Sequence, residues 1–212
     1  MEKQRSLPEE DVTLQAVWKS FGLFVLVGIL IILMFYNEGR IEHLLDVWSI
    51  DNFVLFASTG LIIGGLFASF TIAVYKMTEL QLPDNDYTRI IKDLLHKKFG
   101  IMTIAVGASV AEEVLFRAAL LGVLALYIGE VPALFLVALI FMALHIPQYK
   151  GSLLIHFIVF FMGVVLGLLF LWTGTLWAPI IAHGVYNAII AVLMKMGKLE
   201  KPAADGQEQP AQ

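Results

Sequence analysis

The sequence predicts an all-α membrane protein: a polytopic bundle of about six transmembrane helices plus one amphipathic helix at the membrane interface. Of its 212 residues, 59% are hydrophobic and only 15% are charged, and the mean hydropathy is +0.82. A typical soluble domain carries about 25% charged residues, so this composition excludes a soluble globular protein. The chain contains no cysteine, which excludes disulfides, thiolate metal ligands and a cysteine nucleophile.

Six stretches approach the roughly 20 apolar residues that a transmembrane helix needs. We predict spans at residues 17–36, 53–75, 100–128, 131–146, 152–172 and 175–194. The third is long and the fourth is short. Residues 17–195 therefore form the predicted transmembrane domain. It follows a cytoplasmic N-terminal segment at 1–16 and precedes a polar tail at 196–212, which we expect to be disordered because it has little to bury.

The positions of lysine and arginine predict the orientation of the bundle, because cytoplasmic loops carry an excess of these residues. Of the 14 lysines and arginines, Arg117 falls inside the third span and Arg40 on one side, and the other twelve fall on the side of the chain termini. Both termini are therefore predicted to be cytoplasmic. The first span follows a polar leader without a small-x-small cleavage site, so we interpret it as an uncleaved span. Nothing indicates nucleic-acid binding.

The segment between the second and third spans has the pattern of an amphipathic helix. Leu82-Pro83-Asp84-Asn85-Asp86 is a turn and helix-start signal. Apolar residues follow at helical spacing, with basic residues between them: Ile90, Ile91, Leu94, Leu95 and Phe99, and Arg89, Lys92, Lys97 and Lys98. Such a helix lies on an anionic leaflet. An anchor for the third span is the favoured interpretation, and a substrate-docking surface is the alternative.

Glu112, Glu113 and Arg117 lie within the otherwise apolar third span. Each charge near a bilayer centre costs on the order of 3 kcal/mol, so such residues are paired or used for chemistry. Residues four apart share a helix face, which predicts that Glu113 pairs with Arg117. Glu112 is turned about 100 degrees away and is left to contact another group. A structural clasp between helices and a catalytic carboxylate both remain open from these residues alone.

Two histidines and an asparagine lie in later spans. His145 ends the fourth span just before Pro147, whereas His183 and Asn187 lie one turn apart on the sixth. With a rise of 1.5 Å per residue, His183 lies roughly 12 Å from the outer boundary and Glu112 roughly 18 Å from the inner one, within a core about 30 Å thick. The two can therefore meet. His145 comes out nearer the cytoplasmic surface, so we expect the site to open inward.

Three motifs carry a family resemblance: Glu-Glu-x-x-x-Arg at 112–117, Phe-x-x-x-His at 141–145 and His-x-x-x-Asn at 183–187. In this order, the sequence resembles the CAAX-protease and bacteriocin-processing family of intramembrane endopeptidases over about residues 100–190. The resemblance implies a multi-pass protein of a bacterial-type cell membrane. It also implies that a membrane-associated protein or peptide is the substrate.

The resemblance also implies a role for each motif residue. Glu112 would activate a water together with His145, Glu113 would support Glu112, and Arg117 would hold Glu113. His183 and Asn187 would stabilise the oxyanion. Members of the family have also been described as metalloproteases.

The sequence leaves the cofactor and two other functions open. Glu112, His145 and His183 together are a ligand set suited to a catalytic zinc ion, but water activation without a metal is equally compatible with the residues. The first alternative function is a transporter or proton relay that uses the buried carboxylates. The second is a non-catalytic membrane partner, such as an immunity or scaffold protein.

Overall fold

The computed structural model describes residues 12–78, 82–83 and 85–199, and every regular element in these residues is helical. Most of the predicted N-terminal segment and of the predicted disordered tail lies outside the described residues. The α-helices are α1 Leu14–Phe35, α2 Arg40–Asp46, α3 Phe53–Thr78, α4 Asp86–His96, α5 Gly100–Met102, α6 Ser109–Glu113, α7 Gly122–Ile128, α8 Glu130–Leu144, α9 Leu153–Thr173 and α10 Trp177–Lys195.

The predicted helical membrane bundle is confirmed. Among the described residues, α1, α3, α9 and α10 are long and apolar enough to cross a membrane, and α8 is a shorter apolar helix of 15 residues. The predicted third span is not one regular α-helix. It is a run at residues 100–128 in which π-helical segments, Thr103–Ala108 and Val114–Leu121, separate α5, α6 and α7. We call this run the central helix.

The two π-helical segments of the central helix lie on either side of Glu112 and Glu113. Both glutamates belong to α6, and Arg117 lies in the second π-helical segment. A π-helical turn shifts the backbone pairing, and such turns occur frequently at functional sites. In the second π-helical segment, Val114–Leu121, the carbonyl oxygen of Ala118 is 2.9 Å from the Nε2 atom of His43, which belongs to α2. The irregular backbone thus coincides with the polar residues of the helix.

Helix α10 packs closely against α3 through glycines. A Cβ atom at Gly60 would lie 2.7 Å from the carbonyl oxygen of Ala178, and one at Gly64 would overlap the carbonyl of Ala182. Because glycine has no side chain, the two backbones approach at these positions as they do in other small-residue helix contacts. This contact fixes the part of α10 that carries His183.

Contacts near the helix ends show which segments share an end of the bundle. The Lys97 Nζ atom donates to the carbonyl oxygen of Val12 at 2.7 Å, and the Tyr75 hydroxyl donates to the carbonyl of Leu199. Helix α4 and both described chain ends therefore lie at one end, which we call the α4 end. Its assignment to the cytoplasmic side remains a prediction based on lysine and arginine positions.

The predicted amphipathic helix is present as α4. Asn85 caps its N-terminus and forms a reciprocal capping box with Thr88, which satisfies backbone donors that a helix end leaves open. Leu94 and Leu95 are buried against the bundle. The Asn85 side chain also donates to the carbonyl of Gln148 at 2.9 Å, so α4 is tied to the loop that follows α8.

Candidate active site

A cavity of about 440 Å³ near the α4 end brings four of the predicted site residues together. Glu112 from α6, His145 from the end of α8, and His183 and Asn187 from α10 all line it. Tyr87 and Ile91 of α4 line it as well, so the cavity lies towards the α4 end of the bundle. Residues far apart in sequence therefore meet at one concave site, the usual form of a binding or active site.

Glu113 and Arg117 lie behind this cavity and form a buried ion pair. The Nε atom of Arg117 is 3.1 Å from Oε2 of Glu113, and Nη1 donates to Oε1 at 3.1 Å. The Nη1 contact is a charge-assisted hydrogen bond, whereas the Nε contact to Oε2 is a close ion-pair contact without hydrogen-bond geometry. A third nitrogen, Nη2, donates to the carbonyl of Gly163 at 3.3 Å, and the guanidinium lies 4.7 Å from the centre of the Phe141 ring. The pairing follows the predicted four-residue spacing.

His183 lies between the two glutamates. Its Nδ1 atom is 2.8 Å from Oε1 of Glu113, and its Nε2 atom is 3.9 Å from Oε2 of Glu112. Because a carboxylate accepts hydrogen bonds, Glu113 fixes the proton on Nδ1 and turns Nε2 towards Glu112 and the cavity. The resemblance implied that Glu113 supports Glu112, whereas in the structure its contacts are with Arg117 and His183.

Glu112 is the carboxylate that faces the cavity. Its side chain is 16% exposed, compared with 0% for Glu113. Among the described residues, no hydrogen-bond donor is paired with its Oε2 atom. A carboxylate without a neutralising partner in a restricted polar site is suited to accept a proton.

His145 caps the C-terminal end of α8 and approaches the cavity from the loop side. Its Nδ1 atom lies 2.8 Å from the carbonyl oxygen of Phe141. This bond makes Nδ1 the protonated nitrogen of the neutral ring and leaves Nε2 as a hydrogen-bond acceptor. His145 and Glu112 thus offer two proton acceptors on the wall of the same cavity.

Sequence reasoning did not identify Gln148, Tyr149 and Tyr186, which also line the cavity. The Gln148 side chain donates to the Tyr149 hydroxyl at 2.7 Å, and the Tyr149 ring is nearly parallel to that of His145. Burial raises the pKa of Tyr149, so its hydroxyl is neutral. The four-residue spacing from His145 was a usable signal, but the predicted helix ended at Ile146, just before the proline.

The zinc site that the sequence left open requires Glu112, His145 and His183 to converge on one ion. In the described part of the chain, no group of three histidine, aspartate or glutamate side chains is placed to hold a metal ion. The arrangement therefore does not fit that ligand set, and the chemistry below is derived from the side chains themselves.

Comparisons with known proteins agree with the three motifs. Residues 95–189 match the family model described as "Type II CAAX prenyl endopeptidase Rce1-like". "Uncharacterized protein YpbD" from Bacillus subtilis (strain 168) is 36% identical over 95 residues, which are 45% of this chain and 46% of that protein. The chain thus spans about half the length of the curated relative that it matches.

No solved structure matches the chain. The family match contains all seven of the residues that define the three motifs, from Glu112 to Asn187. The resemblance predicted from the sequence is thereby confirmed: residues 95–189 are similar to the Rce1-like family of type II CAAX prenyl endopeptidases.

Proposed function

We propose that this protein is an intramembrane endopeptidase that hydrolyses a peptide bond of a membrane-associated protein or peptide. One observation carries the proposal: Glu112, His145, His183 and Asn187 line a single cavity inside a membrane bundle. The family match supports the same reaction class. Polar and charged side chains cost free energy inside a bilayer. Several of them around one cavity therefore indicate a functional site.

The base in this proposal is Glu112, because its side chain lines the cavity and its Oε2 atom accepts no hydrogen bond from the described part of the protein. A water between Glu112 and His145 gives its proton to Glu112 as its oxygen attacks the carbonyl carbon of the substrate. The carbonyl becomes a tetrahedral oxyanion. Glu112 then returns the proton to the leaving nitrogen, the carbon–nitrogen bond breaks, and the products are a carboxylic acid and an amine.

The oxyanion is stabilised from α10 in this proposal. Asn187 donates through its side-chain amide, and His183 donates through Nε2 when both of its ring nitrogens carry protons. Donors that are already in place where negative charge develops lower the barrier because they need no reorganisation. Glu113 and Arg117 do not touch the substrate and act as positioning residues, since the 2.8 Å contact from Glu113 sets the orientation of the His183 ring.

The α4 end is the cytoplasmic side in this proposal, and substrates reach the cavity from there. Lys92, Lys97 and Lys98 belong to the segment at this end, and a cytoplasmic position accords with the preference of basic residues for that side. The scissile bond would be cut at the membrane or just within it.

The test compares the wild-type protein with Glu112→Gln, purified and incubated with a proteome-derived membrane fraction. Glutamine keeps the shape of glutamate and removes the base. Glu130→Gln is the matched control, because Glu130 is exposed at the start of α8. We expect new peptide termini, read by mass spectrometry, with the wild type and Glu130→Gln. Equal numbers of termini with Glu112→Gln would contradict the proposal.

A further inference from the structure

The donors that α10 offers to the oxyanion depend on the protonation state of His183. Its Nδ1 atom donates to Oε1 of Glu113 at 2.8 Å, so the neutral ring has no hydrogen on Nε2. In that state Asn187 is the member of the pair that still donates. A donor whose hydrogen is present in both states of His183 would stabilise the oxyanion throughout the reaction.

Tyr149 offers such a donor from the loop between α8 and α9. It lines the cavity together with Glu112 and Gln148. The side-chain amide of Gln148 donates to the Tyr149 hydroxyl oxygen at 2.7 Å. Because the hydroxyl is the acceptor in this bond, its own hydrogen is free to point to another group.

Backbone and ring contacts hold Tyr149 in place. Its N–H donates to the carbonyl of His145, and its own carbonyl accepts from the N–H of Ser152, both at 3.1 Å. The ring lies nearly parallel to the His145 ring, with 6.4 Å between the two centroids. Asn85 of α4 donates to the neighbouring carbonyl of Gln148 at 2.9 Å. A donor fixed in this way needs little reorganisation when negative charge develops beside it.

The hydroxyl of Tyr149 keeps its hydrogen. Burial raises the pKa of Tyr149, and the negative charges of ionised Tyr186 and Glu112 raise it further. The hydroxyl is therefore close enough to Glu112 for their charges to interact. Because a raised pKa makes full proton transfer unfavourable, this hydroxyl is suited to donate a hydrogen bond and to retain its proton.

We propose that Tyr149 is a further catalytic residue, whose hydroxyl donates a hydrogen bond to the oxyanion together with Asn187 and His183. The inference rests on the proposed function. The carbonyl oxygen of the scissile bond accepts this bond as it becomes negative, and the hydrogen stays on Tyr149 throughout. Gln148 acts through the Tyr149 hydroxyl and is a positioning residue.

The experiment uses the full-length protein in liposomes and a library of amidated octapeptides built from Ala, Leu, Phe, Asn and Ser. The peptide that the wild type cleaves fastest serves as the substrate of a peptide assay. Tyr149→Phe removes the hydroxyl and keeps the ring beside His145. We expect kcat to fall at least tenfold with KM unchanged, because a lost oxyanion donor acts on the transition state. A smaller fall in kcat would overturn the inference.

Tyr127→Phe is the matched control, because its hydroxyl donates to the carbonyl of Phe35, at the far end of α1. It should keep the wild-type kcat. The pH profile separates two uses of the Tyr149 hydroxyl. If the hydroxyl donated to Glu112 and not to the oxyanion, Tyr149→Phe would shift the acid limb of kcat/KM, which follows protonation of the base. We expect an unshifted acid limb, and a shifted one would overturn the inference.

A double-mutant cycle tests the part played by Gln148. Gln148→Met removes the amide with little change of shape, and we expect a several-fold lower kcat. Because Gln148 acts through the hydroxyl, the double variant with Tyr149→Phe should have the kcat of Tyr149→Phe alone. A further fall in the double variant would contradict this coupling.

A tetrahedral mimic of the oxyanion provides a readout that a merely structural role would not move. In this inhibitor a phosphinate replaces the scissile group of the octapeptide. Tyr149→Phe should weaken phosphinate binding by the same factor as it lowers kcat/KM. Binding of the uncleaved octapeptide should be the same with and without Tyr149→Phe in a Glu112→Gln background. Equal phosphinate binding by Tyr149→Phe and the wild type would overturn the inference.

Failure of the inference and failure of the proposed function give different results. Cleavage that depends on Glu112 but keeps its wild-type kcat in Tyr149→Phe removes the inference alone. Cleavage by the wild type that does not exceed the level of Glu112→Gln removes the proposed function together with it.

Discussion

The Nδ1 atom of His183 lies 2.8 Å from the Oε1 atom of Glu113. This contact joins α10 to the central helix and continues on one side to Arg117 and the carbonyl of Gly163, and on the other to Glu112. The second glutamate of the Glu-Glu pair is therefore a structural neighbour of the histidine in the last motif. The first glutamate, Glu112, lines the cavity.

The first prediction concerns Glu113→Gln. Removing one partner of a buried ion pair leaves the charge of Arg117 uncompensated in a site with 1% exposure, and the cost of such a change is about 3 kcal/mol or more. We expect a clearly lower thermal unfolding midpoint in detergent micelles, followed by circular dichroism. Glu112→Gln is the comparison, since Glu112 has no such pair; similar midpoints for the two variants would show that the ion pair does not stabilise the fold.

The second prediction concerns Arg117→Lys, which keeps the positive charge but changes the shape of the cation. The guanidinium contacts both oxygens of Glu113 and the carbonyl of Gly163, and a lysine ammonium cannot reproduce this planar fork. We expect a loss of about 1–3 kcal/mol in the free energy of unfolding. We also expect a lower kcat in the peptide assay, because His183 loses its fixed neighbour. Wild-type values of the free energy of unfolding and of kcat would mean that a positive charge at this position is sufficient, whatever its geometry.

A glycine pair on α3 provides a matched test of helix packing. A Cβ atom at Gly64 would overlap the carbonyl of Ala182, while one at the adjacent Gly65 would meet nothing within 4 Å. Gly64→Ala should therefore cost about 1–3 kcal/mol through overpacking and should lower cleavage, since Ala182 precedes His183. Gly65→Ala should leave both the unfolding midpoint and cleavage unchanged. Equal effects of the two substitutions would contradict the close approach of α3 and α10.

The lack of native cysteine allows single-cysteine labelling to test the orientation of the bundle. Met194 lines the cavity, Leu168 is exposed on α9, and Glu38 is exposed between α1 and α2. With a membrane-impermeant maleimide, Met194→Cys should react only from the cytoplasmic side and Glu38→Cys only from the other. Leu168→Cys should react from neither, because it faces lipid. The reverse pattern for Met194→Cys and Glu38→Cys would invert the predicted topology.

Much of this architecture was predictable because the bilayer restricts the chain strongly. Apolar length alone located α1, α3, α9 and α10, and the four-residue spacing of Glu113 and Arg117 predicted their ion pair. Depth counting from helix ends predicted that Glu112 and His183 meet, and the structure places His183 Nε2 3.9 Å from Glu112 Oε2.

Other features depend on tertiary contacts that no local pattern records. The π-helical segments of the central helix change the direction of its side chains, and a hydropathy profile does not distinguish a π-helical turn from an α-helical one. The partner of Glu113 on α10 is 70 residues away along the chain, so helix periodicity could not identify it. Tyr149 was missed because the proline at 147 predicts a helix end, although the backbone hydrogen bond from Tyr149 to His145 continues the turn.

The most direct measurement of the central claim is hydrolysis in water labelled with oxygen-18. If Glu112 activates a water in the cavity, each new carboxyl terminus formed by the wild-type protein should carry one heavy oxygen. With Glu112→Gln the rate of formation of these termini should fall at least a hundredfold, the scale of a lost general base. Wild-type rates of labelled product from Glu112→Gln would contradict the account.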